Sequence, residues 1–261
     1  MGATAATAKS LPITKRGDRL LVELANSAAA VREAQVLRYQ IFAEELGAQL
    51  DSAHHGIDCD EFDTACHHLL VRETHTGRLI GCTRLLTGAA AQQLGSFYSA
   101  HEFDLGQLLL LPGQLLEVGR TCIAADYRQG AAIAVLWSGL ASFIQTHQID
   151  YLFGCASMSL GDNDVQAAAM MNRLRRHAMS DAQLRVIPHY PLLSTAEPEE
   201  ILDAPLPPLL KAYVRLGAKA CGEPCRDAAF GVADVLMLLD VRDLNPVYAR
   251  HFLERTGTLR L

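Results

Sequence analysis

An α/β sandwich on a mixed sheet is the fold this chain predicts, and three observations point to it. Apolar runs of strand length, at residues 20–24, 68–72, 79–86, 115–124, 151–156 and 235–241, are interspersed with helical stripes near 27–46, 129–149 and 162–178. Thr76-Gly77, between the second and third runs, reads as a hairpin turn. The chain has 261 residues, half of them hydrophobic, enough to bury a real core in one large domain with an extension.

Taken in order, residues 1–18 are Ala/Thr-rich and basic and read as a mobile tail, leaving 19–261 as the domain. After the first strand, Ser27 is placed to cap a helix whose buried stripe is Val31, Ala34, Leu37 and Ile41, with Gly47 ending it. Residues 54–65 form a polar loop rich in acids. The hairpin strands follow, then a long connection over 87–113 that carries Phe97-Tyr98 and a leucine run. Beyond the strand at 115–124, a turn at 126–130 leads into a helix with the stripe Ile133, Leu136, Trp137, Leu140, Phe143 and Ile144. This uncharged stretch approaches the length of about 20 residues needed to span a bilayer. Ser138, Ser142, Gln145 and His147 on its other side make it a core helix instead. A strand and a helix capped by Asp162-Asn163-Asp164 come next. From about residue 188 the chain reads as an extension: a proline-rich loop to 208, a short helix at 209–216, the last strand, and a helix near 245–253.

Charge and cysteine usage exclude several function classes. A formal net charge of -6 argues against nonspecific nucleic-acid binding, although Lys9, Lys15, Arg16 and Arg19 form one basic cluster and Arg173, Arg175 and Arg176 another. The first residues have no apolar core of a secretory signal, and Ala6 stands where myristoylation wants Ser or Thr. Seven cysteines without a signal peptide read as reduced thiols. These features predict a cytoplasmic protein, at most peripheral to the inner membrane.

The most informative stretch is Leu115-Leu116-Glu117-Val118-Gly119-Arg120, where two charges interrupt a buried-strand pattern. Burying a charge costs several kcal/mol unless it is paired, so such interruptions suggest a site. Asp60-Glu61-Phe62-Asp63 and Arg84, inside the run at 79–86, carry the same anomaly. Together they point to a polar pocket at the end of a sheet.

The motif Leu37-Arg38-Tyr39-Gln40-Ile41-Phe42, the pair Asp60 and Asp63, Arg84, and the pair Glu117 and Arg120 resemble, in order and spacing, the acyl-homoserine-lactone synthases of the GNAT superfamily. Further motifs resemble a sister family, the L-ornithine Nα-acyltransferases of ornithine-lipid synthesis. They are Glu44-Glu45-Leu46-Gly47, Phe97-Tyr98-Ser99, Glu102-Phe103-Asp104-Leu105, Leu136-Trp137 with Gly139-Leu140, Leu152-Phe153-Gly154-Cys155-Ala156-Ser157, Leu209-Leu210-Lys211 with Tyr213 and Arg215-Leu216-Gly217-Ala218, and Tyr248 with His251-Phe252. The resemblance runs from about residue 18 to 255. It implies a GNAT-like α/β/α sandwich whose splayed sheet admits a pantetheine arm. It also implies transfer of a 3-hydroxyacyl chain from acyl carrier protein to the α-amine of ornithine, with no resident cofactor and lyso-ornithine lipid as product. One departure is Tyr127-Arg128-Gln129-Gly130-Ala131-Ala132, whose single glycine suits a carrier-protein donor better than the pyrophosphate of coenzyme A.

That chemistry assigns candidate roles. Glu117 accepts the amine proton; its alternative is a buried salt bridge with Arg120 or Arg84. Arg120 and Arg84 clamp the substrate carboxylate, or else neutralise the acidic residues. Asp60 and Asp63 receive the ornithine ammonium, or form a solvated acidic loop. Phe42 walls the acyl tunnel, and Arg38 ties the loop down or meets the pantetheine. Cys122 as an acyl-cysteine nucleophile lacks a nearby base in the sequence, and the group His54, His55, Cys59, Cys66, His67 and His68 lacks paired metal-ligand spacing, so no metal is expected. The basic clusters are candidates for docking the acidic carrier protein. The runner-up enzyme is an acyl-homoserine-lactone synthase, and glycine, glutamine or lysine remain open as acceptors. The non-enzymatic alternative is a membrane-associated, haemolysin-like interaction protein.

Overall fold

Ten strands and five helices organise the residues that the computed structural model describes, which are 19–128, 131–161, 164–192 and 204–244. The strands are β1 Leu20–Leu24, β2 His67–Glu73, β3 Leu79–Thr87, β4 Phe103–Asp104, β5 Leu115–Ile123, β6 Tyr151–Ser159, β7 Ile187–Pro188, β8 Lys219–Ala220, β9 Cys225–Asp227 and β10 Val232–Asp240. The helices are α1 Ala28–Tyr39, α2 Gly88–Leu94, α3 Ala132–Thr146, α4 Val165–His177 and α5 Pro208–Leu216. The main sheet has the order β1-β2-β3-β5-β6-β10-β8, with β9 also pairing β10, while β4 and β7 form a separate ribbon. Within the main sheet every pair is antiparallel except β5 and β6.

Side-chain alternation along the strands builds the two layers. Leu69 and Val71 of β2 pack in the cluster of α3, with Leu136, Trp137 and Phe143, while Leu70 between them packs with Ala34 and Leu37 of α1. Gly139 lets α3 settle closely on the sheet, because a Cβ there would come within 2.5 Å of Val22. Met170, Met171 and Leu174 of α4 extend the same core toward β6 and β10. Ser27 caps α1 as the sequence predicts, accepting from the Ala30 N–H at 3.2 Å.

Several details depart from the sequence-based expectations. Ala30 rather than Val31 begins the buried stripe of α1, and after Tyr39 the helix widens into a π-helical stretch, Gln40–Glu45, before Gly47 turns it at φ 79°. The acidic loop contains two 3-10 turns, and the long connection contains α2. Asp164 stands before α4 with φ 64° and no capping bond; its carboxylate pairs with Arg226 instead. The N-terminal tail and the helix near 245–253 lie outside the described residues.

The feature that positions the site is the splay of the sheet. β5 and β6 are joined only at Leu115–Tyr151, Leu116–Leu152 and Glu117–Phe153, although both strands continue for six more residues. A Cβ on Gly154 would collide with the Val118 carbonyl oxygen just where the strands part. Beyond that point no ladder pair joins them, and a gap opens.

Candidate active site

The gap holds a cavity of about 240 Å³ lined by Arg84, Tyr98, Ser99, Glu117, Arg120 and Cys155, with Phe42, Phe62 and Phe230 among its apolar walls. A bulge in β5 aims Arg120 into it. Cys82 pairs Cys122 but Arg84 pairs Gly119, so β5 carries one extra residue, and Arg120 takes φ 50° there. A left-handed backbone at a non-glycine residue costs of order 1–3 kcal/mol and persists only where its surroundings hold it. Here the guanidinium lies between the rings of Tyr98 and Phe230, 4.6 and 4.7 Å from their centroids. Phe42, on the π-helical stretch, meets Phe230 edge-on at 5.5 Å.

Behind the cavity, three acids and three arginines form an ion-pair network, in which Arg38 Nη1, Asp60 Oδ2 and Arg120 Nε have no hydrogen-bond partner. Arg38 is fully buried and donates from Nε to Asp58 at 2.7 Å and from Nη2 to Asp63 at 2.8 Å and to the Asp58 carbonyl at 2.5 Å. Asp63 also accepts from the backbone N–H of Asp60, whose own carboxylate accepts from Phe62, a reciprocal cap on the 3-10 turn. Arg84 donates to Asp60 at 2.6 Å, and Nε of Arg120 lies 3.2 Å from Asp58. Burial works against the Asp60 charge, yet Arg84 and then Arg120 hold its carboxyl below the usual value.

This geometry separates residues that the sequence grouped as one substrate site. Arg84, Arg120 and Phe42 line the cavity; Arg38, Asp60 and Asp63 do not. Arg38 ties the acidic loop to α1, and Asp63 is committed to Arg38 and to its cap.

Glu117 makes no ion pair with either arginine. Its Oε1 accepts from the Ser99 N–H at 2.7 Å and from the Ser99 hydroxyl, and its Oε2 accepts from the Tyr98 N–H at 2.8 Å. Burial raises its pKa, and these hydrogen bonds oppose the rise. The carboxylate thus anchors the turn at 97–101 against β5 and retains a lone pair on Oε2.

Cys122 is not placed as a nucleophile would need, and the histidines of the His/Cys group do not converge. Cys122 lies off the cavity, 3.6 Å from Cys82, with its pKa pushed up by that contact and by burial. His67 and His68 alternate across β2: His67 packs on Phe143 and His147, and His68 Nε2 meets the Asp63 carbonyl oxygen at 2.9 Å.

Sequence reasoning missed a second acidic group in the same cavity: Glu102 after the turn, Asp227 at the end of β9 and Asp234 within β10. Their carboxylate oxygens lie within 4.8 Å of one another. Burial, then Asp234 and Asp227, push the Glu102 carboxyl up to about 9, and burial raises Asp234 as well. Asp234 had a signal, an acid inside the apolar strand Val232–Asp240; a strand begun at residue 235 leaves it out. Glu102 and Asp227 stand in short irregular or edge segments where an acid is unremarkable.

Residues 37–138 match the acetyltransferase (GNAT) domain family. An L-ornithine N(alpha)-acyltransferase of Brucella abortus (strain 2308) is 36% identical over 251 residues, covering 89% of this chain and 88% of that protein. Another, from Rhizobium meliloti (strain 1021), is 33% identical over 264 residues, covering 95% and 89%. Among solved structures, the acyl-homoserine-lactone synthase LasI superposes with a TM-score of 0.55 at 14% identity, over 94% of this chain and 98% of its own. FeeM, an N-acyl amino acid synthase from uncultured soil microbes, gives 0.50 at 13% identity, over 89% and 93%. At these identities the structures speak to the fold, a GNAT sandwich with a splayed sheet.

Proposed function

This chain belongs to the L-ornithine Nα-acyltransferase family, and on that premise we propose that it acylates the α-amine of ornithine with a 3-hydroxyacyl chain delivered by acyl carrier protein, yielding lyso-ornithine lipid. The observation that carries the reading is the cavity at the parting of β5 and β6, where a buried carboxylate and two guanidinium groups face one small space.

In this reading a thioester enters through the gap and the acceptor lies beside it. Arg120 and Arg84 offer donors to the α-carboxylate of the amino acid. Glu117, its basicity raised by burial, takes the proton that the amine sheds on attack. A C–N bond forms, the tetrahedral intermediate collapses with loss of the C–S bond, and the proton passes to the departing thiolate. Phe42 and Phe62 give the acyl end an apolar wall. The chemistry needs no resident cofactor, since the thioester is itself a substrate. The amphiphilic product ties the output to a membrane surface; among the described residues no helix is long and apolar enough to cross a membrane.

The test is reconstitution with purified 3-hydroxyacyl carrier protein and ornithine, followed by mass spectrometry. An amide-linked hydroxyacyl-ornithine is expected. Acylation of another amino acid would replace the acceptor, transfer only from acyl-coenzyme A would replace the donor, and an acyl-homoserine lactone would overturn the reading.

A further inference from the structure

We propose that Glu102, Asp227 and Asp234 form a receptacle for a primary ammonium group, the side-chain cation of a diamino-acid acceptor. The inference rests on the ornithine reading and locates the part of the site that distinguishes a diamino acid from other amino acids.

Four observations carry it. The three carboxylates converge, with oxygens within 4.8 Å of one another, on the cavity that Glu117 and Arg120 also line. Asp234 and Glu102 are both more than nine-tenths buried, at 4% and 9% exposure. Asp234 Oδ1 and Glu102 Oε2 are buried without a hydrogen-bond partner, and the other contacts of the two carboxyls are with each other, with Ser157 and with Cys155. No ion pair joins any of the three to a cation among the described residues, whereas Asp58, Asp60 and Asp63 next door are each bound by arginine. A buried carboxylate without a cation is costly, and Glu102 and Asp234 lie together beside a half-buried third acid, Asp227, whose Oδ1 accepts from the Phe230 N–H.

The occupant's chemistry follows from position. An ammonium group has three donors and one charge, which suits three convergent acceptors at this spacing. Ser99 supplies continuity along the cavity: its hydroxyl donates to Glu117, and its oxygen lies 3.4 Å from the Cys155 thiol, which in turn hydrogen-bonds Glu102. An acceptor with its α-amine toward Glu117 therefore extends its side chain past Cys155 to the acidic group. The groups facing Glu102 are Asp234 of β10, Asp227 of β9, Cys155 of β6 and Arg120 of β5, so acids outnumber cations there. Entry of an ammonium lets the group ionise and should expel about one proton per site.

The experiment compares ornithine with norvaline, which has the same carbon skeleton without the terminal amine. In the wild-type chain kcat/KM for ornithine should exceed that for norvaline by at least about 100-fold. In Asp234→Asn and Asp227→Asn that preference should fall to about 10-fold or less. Residual norvaline turnover reports that each variant is folded, and Asp227 is the less buried site. An unchanged preference in both variants would overturn the receptacle while leaving the ornithine reading intact. If the wild type acylates no ornithine, that reading fails and calorimetry with 1,4-diaminobutane decides the receptacle. Binding lost in the variants upholds it, and equal binding overturns it. Stoichiometric binding of Mg2+ or Mn2+ that the variants lose and that ornithine does not displace would overturn it in favour of a metal site.

Discussion

The two acidic groups of this protein differ in their company more than in their chemistry. Asp58, Asp60 and Asp63 sit against Arg38, Arg84 and Arg120 in a network where most donors and acceptors meet. Glu102, Asp227 and Asp234 have no such partners, and burial and the neighbouring acids push the Glu102 and Asp234 carboxyls up. Buried charges that are paired internally hold a loop, an edge or a helix in place. Buried charges left unpaired lower stability, and a fold keeps them where a ligand completes them. Glu117 stands between the two, satisfied by amides and a hydroxyl rather than by a cation.

The comparison breaks most severely at Arg38. Arg38→Met should leave Asp58 and Asp63 buried with only their longer contacts to Arg120 and Arg84, destabilising by about 3–5 kcal/mol. Thermal unfolding should show a Tm lower by roughly 10 °C for a chain of this size. A shift of only a degree or two would mean that the network does not hold the acidic loop. Glu117→Gln keeps the shape and removes the proton acceptor. A fall in kcat of about 100-fold is expected from single-turnover measurements, with a Tm lower by a few degrees because the amide nitrogen cannot accept one of the two backbone N–H bonds that the carboxylate accepts. If stability falls and kcat does not, Glu117 only anchors the turn.

Glu102→Gln sharpens the contrast from the other side, because it should stabilise. The folded protein holds Glu102 protonated up to about pH 9, whereas the unfolded chain loses that proton near the ordinary value of 4.5. With the folded pKa raised, its contribution is full below the unfolded pKa and falls away as pH rises toward the folded one. The neutral amide removes that slope. Tm profiles of variant and wild type should meet at or below about pH 4.5 and separate progressively as pH rises to 8, with the variant the more stable. Parallel profiles would show that Glu102 ionises freely. The smallest effect is expected at the exposed pair of Arg226 and Asp164, where Arg226→Ala should change stability by under about 0.5 kcal/mol in denaturant titration.

Much of the fold is legible in the residues. Strands of five or more, such as β1, β3 and β5, carry an apolar run that local sequence can show, and Thr76-Gly77 marks the hairpin between β2 and β3. β4, β7, β8 and β9 have two or three residues each, too few to carry a period, and exist because a neighbouring strand offers them a ladder. Of the site, Glu117, Arg84 and Arg120 were legible as charges at core positions, and all three line the cavity. Asp60 and Asp63 were legible as unusual acids, but their partners were not. The other acidic group went unread: Glu102 and Asp234 are 132 residues apart by their numbering, and only the pairing of β10 with β6 brings Asp234 opposite Ser157 at the cavity.

By itself the sequence determined the alternation of elements, the places where charge enters a buried strand, and the family to which the motifs belong. Each depends on residue type and spacing along the chain, and these are local. Only the tertiary structure decided which charges neutralise one another and which line the cavity without a cation beside them. Electrostatic pairing depends on distance through space and on the water excluded between the groups, neither of which is written along the chain. Two acids of the same kind therefore became a framework at Asp63 and a receptacle at Asp234, according to whether an arginine folded beside them.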